Sequence, residues 1–381
     1  MPIYLDNAAT SWPKPPAVEQ EMRRFLAEDA GNPGRSAHRM ALAAERMIDQ
    51  LRVRLARMFD AETAARLVFT LNATDALNMA IKGVLRPGDH AVTTALEHNS
   101  VSRPLHALAD QGVIILTRVP MTGGGFVDPD AVAAAITPAT RLIVCTHCSN
   151  VIGTIQPIAD IGRIARRHDV VFLVDAAQSA GLLPISMREM CVDLLAIPGH
   201  KALLGPTGTG ALLVGSRVDP RPWREGGTGG DSASPVQPPE YPHRLEGGTP
   251  NTVGLAGLAA ALDEIERRSP SAILAHERAL ARRLVEELRD DRRFHLLGPD
   301  DADRRTGVVS FTMNGLGPQE TAAILDESFD IAVRAGLHCA PYIHAALGTR
   351  PDGAVRVSPG PFNSTDDIAR LIDALRAIAS A

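Results

Sequence analysis

Long apolar runs are missing from this chain. None approaches the roughly 20 consecutive apolar residues that a membrane-spanning helix needs, so no membrane partner is expected. The N-terminus, MPIYLDNAAT, lacks the basic and apolar regions of a secretory signal. An excess of positive charge is missing as well. The net charge of −5 and a pI near 6.2 argue against a nucleic-acid surface. Cysteine is sparse. Cys145, Cys148, Cys191 and Cys339 read as free thiols in the cytoplasm, the expected location, where disulfides do not persist. Cys145 and Cys148 have C-x-x-C spacing, but no second pair accompanies them and they follow the apolar run 142–144. They read as buried strand-end residues, and no metal site is expected. Internal repeats and low-complexity tracts are absent too. What remains is the composition of a soluble globular enzyme, 45% hydrophobic and 22% charged over 381 residues. That length allows one large and one small domain, or two similar ones.

The stretch 196–210, AIPGHKALLGPTGTG, organises the rest. Apolar residues flank it on both sides, and Gly and Pro crowd its middle, which predicts a strand, a tight turn carrying Lys201, and a returning strand. An ammonium beside apolar strands is costly unless paired or neutralised. Burial and a lowered pKa are also the usual devices for making an amine nucleophile. Upstream, VVFLV at 170–174 reads as a buried parallel strand ending in Asp175, with Gln178 in the following loop. Ligands of open α/β sheets collect outside the carboxyl ends of strands. An acid there and a lysine 26 residues later suit pyridoxal phosphate (PLP), the lysine as Schiff-base former and the acid as partner of the pyridinium nitrogen. On these residues alone, a helix-capping Asp175 and a structural Lys201 that reaches solvent stay open.

Along the chain, helical periodicity covers 15–28 and 37–59, separated by the loop 30–36. Strands are predicted at 67–70, 91–94, 113–117, 142–146, 170–174 and 194–197, with helical patterns such as 130–136 and 158–168 between them. This is the alternation of a mostly parallel sheet. The segment 210–214 follows so closely that an antiparallel strand fits it. Asn72, Ala73, Thr74 and Asp75 open a helix whose N-terminus can seat an anion at Ala73 and Thr74. An ordinary capped helix is the other reading. The stretch 216–251 holds seven prolines and six glycines and reads as a functional or interface loop. Beyond it, helices at 252–268, 275–290, 319–327 and 364–379 and strands at 308–313, 331–333 and 354–357 make a smaller α+β unit. Ser364 and Asp367 stand at capping-box spacing.

The motifs VDAAQ (174–178) and GHKALLGPTGTG (199–210) resemble the class V aminotransferase family and, within it, the cysteine desulfurases. LDNAAT (5–10), NATDALN (72–78), EHNS (97–100), SNVIGT (149–154), EGGTPN (246–251) and RAGLHCAP (334–341) match the same family in the same order. The resemblance runs from Tyr4 to about Phe362. It implies an α/β protein of PLP-dependent transferase fold type I. The large domain, with a mostly parallel sheet, would span 15–260, and the smaller α+β domain 1–14 and 261–381.

Position by position, the resemblance makes Lys201 the Schiff-base lysine and Asp175 the ring-nitrogen partner. Gln178 and Asn150 become donors on the ring-hydroxyl side, and Asn150 also faces the substrate. His98 becomes the ring-stacking histidine. Ala73, Thr74 and His200 become phosphate contacts, and Arg356 becomes the clamp on the substrate carboxylate. Thr249 matches a residue that reaches the phosphate of a neighbouring subunit, which implies a homodimer. Pro198 departs from the pattern, because the family carries Ser or Thr there as a phosphate ligand. RAGLHCAP resembles the short catalytic-cysteine segment of SufS-like desulfurases. Cys339 would take sulfur from L-cysteine as a persulfide, release L-alanine and pass sulfur to an acceptor protein, as in iron–sulfur cluster assembly. Two alternatives stand beside this: a lyase acting on L-selenocysteine or another β-substituted amino acid, and a non-catalytic PLP-fold assembly partner. The second is disfavoured because Lys201, Asp175, His98, Arg356 and Cys339 are all present.

Overall fold

The computed structural model describes residues 2–34, 37–229, 233–299 and 301–380. Residues 35–36 of the expected loop and 230–232 of the Pro/Gly-rich stretch lie outside the described residues. The chain opens with a two-residue strand, β1 (Ile3–Tyr4), and two helices, α1 (Pro16–Glu28) and α2 (Arg39–Met58). Strand and helix then alternate through β2 (Leu67–Thr70), α3 (Ala73–Val84), β3 (His90–Thr94), α4 (Asn99–Asp110), β4 (Ile115–Val119), α5 (Pro129–Ala134), β5 (Thr140–Thr146), α6 (Ile158–Arg167) and β6 (Val171–Asp175). Strands β7 (Leu194–Pro198) and β8 (Gly210–Val214) complete a seven-stranded sheet of order β2-β8-β7-β6-β5-β3-β4. Pairing from β7 through β6, β5 and β3 to β4 is parallel, and β8 runs antiparallel to both β7 and β2. This is the expected mixed sheet, with the short 210–214 segment as its antiparallel member.

Both faces of this sheet are covered, which is why its central strands β6, β7 and β8 are near-continuous apolar runs rather than alternating. Phe172 and Val174 pack on one side with Leu51, Leu55 and Ile161. Val171 and Leu173 pack on the other with Leu77, Ile81 and Leu105. Two long helices follow, α7 (Thr252–Arg268) and α8 (Pro270–Arg289). The helix expected at 275–290 starts earlier because Ser269 caps it, accepting from the Ala272 N–H at 3.2 Å, and Pro270 fits its first turn.

A second sheet, of order β12-β13-β10-β9, is antiparallel. It consists of β9 (Phe294–Leu297), β10 (Val309–Met313), β12 (Arg334–Gly336) and β13 (Ala354–Val357), with helix α9 (Pro318–Phe329) beside it. The single strand expected at 331–333 is two strands. β11 (Ile331–Ala332) pairs with β1, and after Val333 the chain moves to β12 in the other sheet. Helix α10 (Pro341–Ala346) and the closing α11 (Thr365–Ile378) end the fold, α11 with its capping box of Ser364 and Asp367 formed. Among the described residues, 216–251 has no helix or strand. It is pinned to β2 where Glu246 pairs with Arg52 at 2.9 Å and accepts the Phe69 N–H at 2.7 Å.

Close approach sets one side chain in α6. A Cβ built on Gly162 would lie 1.9 Å from the Met190 carbonyl oxygen. In an open helix, Gly→Ala stabilises by about 1 kcal/mol. Here the clash reverses the sign, so Gly162→Ala should lower the melting temperature. A rise in thermal denaturation would show that the 186–192 turn yields without cost.

Candidate active site

The strands β2, β3, β5, β6 and β7 all end at one edge of the large sheet, and their following turns enclose a cavity of about 210 Å³. Asn72, Ala73 and Thr74 line it from the start of α3, His98 and Ser100 from the start of α4, and Asn150 from the turn after β5. Asp175 and Gln178 line it from the end of β6, Pro198, His200 and Lys201 from the end of β7, and Arg334 and Arg356 from the second sheet. Nine of the residues singled out from the sequence thus meet in one cavity: Ala73, Thr74, His98, Asn150, Asp175, Gln178, His200, Lys201 and Arg356.

Burial displaces the charges here. Desolvation first, with Arg356 and Arg334 acting the same way and the Asp175 carboxylate opposing them, brings the Lys201 ammonium down to about 8. Asp175 is raised, again chiefly by burial, and the Ala177 N–H, bonded to its Oδ1 at 2.9 Å, and Lys201 oppose the rise. His98 is lowered to about 4 by burial and by nearby cations, Lys201 first, so it is neutral at pH 7. Its Nδ1 accepts the Ser100 N–H at 3.1 Å, which caps α4 and fixes the ring. His200 is lowered to about 4 by burial, then by Lys201 and Lys14. Its Nδ1 is buried without a hydrogen-bond partner. The N-terminal segment holds the turn from outside. The His200 carbonyl faces the Lys14 Nζ at 2.8 Å, the Ser11 N–H at 3.1 Å, and the hydroxyls of Thr10 and Ser11 at 3.1 and 3.2 Å.

Arg356 is fully buried rather than at the surface. It pairs with Asp6 and donates to the Asn150 carbonyl at 3.1 Å, and its Nε has no partner. Asn150 Nδ2 donates to the His338 carbonyl at 2.8 Å, and Gln178 Nε2 to the Ala8 carbonyl at 2.9 Å. Cys339 stands outside the cavity lining but at its mouth. It is exposed, and Arg334, which does line the cavity, directs Nη2 at its sulfur from 3.6 Å. His338 and Cys339 both adopt positive φ, at 49° and 57°, a region unfavourable to side chains. The Asn150 bond and the Asn99 N–H, 2.7 Å from the Cys339 carbonyl, hold this turn. His338 also stacks on His344, ring centroids 5.5 Å apart. Cys148 lines the cavity but is buried, its thiol pushed up to about 12 by burial. Cys145 is buried as well, and Cys191 partly so.

Thr249 is not in this cavity. It lines another, of about 310 Å³, with Arg52 and Glu246; that lining has no lysine and no cysteine. Among the cavity residues that the sequence reading did not single out, two make contacts with residues that it did. Ser100 sits 2.8 Å from the Thr74 hydroxyl, and Arg334 reaches Cys339. Both stand inside quoted motifs, EHNS and RAGLHCAP, but only folding reveals what they touch.

The family model for aminotransferase class-V matches residues 3–371. A probable cysteine desulfurase of Methanothermobacter thermautotrophicus is 35% identical over 99% of this chain and 94% of its own length. A cysteine desulfurase of Yersinia pestis is 30% identical over 99% and 93%. The solved apo structure of a cysteine desulfurase from Thermococcus onnurineus superposes with TM-score 0.94 at 33% identity, covering 100% of this chain and 95% of that one.

The charge balance at Lys201 has a sign that can be read. In cofactor-free protein, acylation of Lys201 by a small anhydride should reach half its maximum near pH 8. Because Asp175 raises the Lys201 value, Asp175→Asn should move that midpoint to lower pH. Competitive labelling with peptide mapping measures both. A midpoint above 10, or an upward move in Asp175→Asn, would contradict the assignment.

Proposed function

Because the chain belongs to the aminotransferase class-V family, we propose that it is a PLP-dependent cysteine desulfurase: L-cysteine gives up its sulfur to the Cys339 thiol and leaves as L-alanine. One observation carries the reading: an exposed cysteine stands beside Arg334, which lines a cavity that also holds a half-buried lysine and a buried acid. The balance is simple. The carbon–sulfur bond of cysteine breaks, a sulfur–sulfur bond forms on Cys339, and a proton replaces sulfur on carbon.

The family is PLP-dependent, and the donors present fit that cofactor. Lys201 offers an amine to the aldehyde carbon, and Asp175, at the strand end, an anion to the ring nitrogen. The first-turn amides of α3 at Ala73 and Thr74 have no helical acceptor and suit a phosphate, as do the Thr74 and Ser100 hydroxyls. The unpartnered Nδ1 of His200 is a further buried group in want of a ligand. Pro198 supplies neither hydroxyl nor N–H, and Ser100 offers a hydroxyl in its place. When bound, PLP supplies an electron sink that loosens bonds at the carbons of the substrate.

The chain's own groups do the rest. Arg356, with Nε unpartnered, presents a planar guanidinium to the substrate carboxylate. Neutral His98, its Nδ1 engaged, keeps Nε2 for a proton. Lys201, lowered to about 8, lies close enough to physiological pH to take a proton at Nζ or return one. Cys339 presents the sulfur acceptor, with Arg334 Nη2 directed at its sulfur. Thr249 lies away from its own chain's cavity, which supports a homodimer in which it reaches the partner's phosphate. We place the large PLP-binding domain at 15–260 and the small domain at 1–14 and 261–381. The two separate sheets support this division. No helix among the described residues is long and apolar enough to cross a membrane. A cytoplasmic role in sulfur supply, including iron–sulfur cluster assembly through an acceptor protein, follows from the same reading.

Purified holoenzyme should release alanine from L-cysteine, and Cys339→Ala should abolish that release while keeping the visible cofactor band. Alanine variants at Cys145, Cys148 and Cys191 should retain most activity. Full alanine release by Cys339→Ala would overturn the assignment.

A further inference from the structure

Behind the exposed Cys339 thiol lie two histidines, His338 and His344, to which the reaction above gives no task. Both are buried. The His338 ring folds back on its own turn, with Nε2 3.4 Å from the Arg334 carbonyl oxygen. Its Nδ1 lies 3.4 Å from His344 Nε2, and His344 Nδ1 lies 2.8 Å from the Thr349 hydroxyl. The end of this chain fixes its direction. A carbonyl only accepts, so His338 Nε2 carries the proton and donates to Arg334. The other nitrogen of a neutral ring is an acceptor. His344 Nε2–H therefore donates to His338 Nδ1, and the Thr349 O–H donates to His344 Nδ1. Both rings are held neutral. Burial first, then Arg356, pushes His338 down to about 3; the bond to the Arg334 carbonyl opposes this, while His344 and the Arg334 guanidinium act with it. Burial first, then Arg350, pushes His344 down to about 4. Thr349 is fixed in turn. Its N–H donates to the His344 carbonyl at 3.0 Å, and its own carbonyl accepts the Gly353 N–H at 2.7 Å.

We propose that Thr349, His344 and His338 are positioning residues, a one-way chain of hydrogen bonds that holds the Cys339 turn in the geometry that receives sulfur. The proposal rests on the desulfurase reading above. His338 and Cys339 both stand at positive φ, and residues in that region persist only where the surroundings over-determine them. Two grips come from the large sheet's side of the cavity: Asn150 Nδ2 on the His338 carbonyl at 2.8 Å, and the Asn99 N–H on the Cys339 carbonyl at 2.7 Å. The histidine chain is the third grip. It ties the Arg334 carbonyl, at the start of the turn, to α10 and the loop that leads into β13. Arg334 directs its guanidinium at the Cys339 sulfur from 3.6 Å, so the chain fixes both ends of that contact. It passes no proton to the thiol, because it ends on a carbonyl and all four ring nitrogens are engaged. Its contribution is orientation, which acts on the rate of the step at sulfur rather than on the binding of cysteine.

The test has two arms. The first is nitrogen NMR of holoenzyme labelled at its histidine rings, with the His338 and His344 signals assigned by substitution. At neutral pH both rings should be uncharged with the proton on Nε2. A proton on Nδ1 of either ring, or a charged ring, would overturn the chain. The second arm is alanine release from L-cysteine. His344→Phe keeps a ring stacked on His338 but removes both nitrogens. Its kcat should fall about tenfold, the worth of a lost hydrogen bond or two, with KM and the visible cofactor band little changed. His344→Gln should recover most of that loss. Its Nε2 can still donate to His338, and the Thr349 hydroxyl can turn to the main-chain carbonyl of residue 344, 3.4 Å away. His344→Asn, one carbon shorter, reaches Thr349 but not His338 and should stay as slow as His344→Phe. Wild-type kcat in His344→Phe, or equal rates for the Gln and Asn variants, would show that packing alone holds the turn and would overturn the proposal. If wild-type enzyme releases no alanine, the desulfurase reading fails, and the ring tautomers still decide whether the chain exists.

Discussion

A lysine and an aspartate that cannot both be comfortable away from water set the terms for this fold. Lys201 and Asp175 sit at the ends of adjacent parallel strands, β7 and β6, which pair as far as Asp175 and Ala196. Burial pushes each toward its neutral form, and each pulls the other back toward charge. Such a pair is a weak stabiliser, because desolvation offsets most of the attraction. Perturbed pairs of this kind cluster at functional sites, and here the amine is lowered to about 8 beside an acid whose value is raised. The surroundings keep the turn in place. Gly199 allows the chain to pass Thr209, whose hydroxyl would lie 2.1 Å from any Cβ there. The N-terminal segment grips the His200 carbonyl with four donors.

The second sheet completes what the first begins. It brings Arg356 and Arg334 from neighbouring strands, paired at Arg334 and Arg356 across β12 and β13, to the open side of the cavity. Arg356 locks back onto the first sheet through the Asn150 carbonyl, and the Asn150 side chain in turn holds the carbonyl of His338. One asparagine therefore ties the cavity, the buried arginine and the cysteine turn together. A turn with two successive positive φ values stores strain of order 1–3 kcal/mol per residue, and it persists only because such contacts hold it.

Much of this was legible in the sequence. The apolar run ending in Asp175, the Gly/Pro-rich turn around Lys201 and the Asn72 cap each follow from local chemistry, and the structure has them as strand end, turn and helix start. The resemblance brought His98, Asn150, Gln178 and Arg356 to the same cavity. What stayed hidden depends on partners far along the chain. The pairing of β1 with β11 joins residues about 330 positions apart, and nothing in IY or IA announces it. Arg334 reads only as the first residue of RAGLHCAP, after the strand expected at 331–333, and its reach to Cys339 depends on the positive-φ turn before the sulfur. The burial of Arg356, which no local pattern announces, comes from packing between two sheets. The strand at 113–117 begins two residues later because Gly112, at φ 69°, turns the chain first.

The central claim is that Cys339, and no other thiol, receives the sulfur. Holoenzyme turned over briefly with L-cysteine, quenched with an alkylating agent and digested can be read by peptide mass spectrometry. The account predicts one additional sulfur on the peptide bearing Cys339 and none on those bearing Cys145, Cys148 or Cys191. Additional sulfur on Cys148, with Cys339 unmodified, would contradict it.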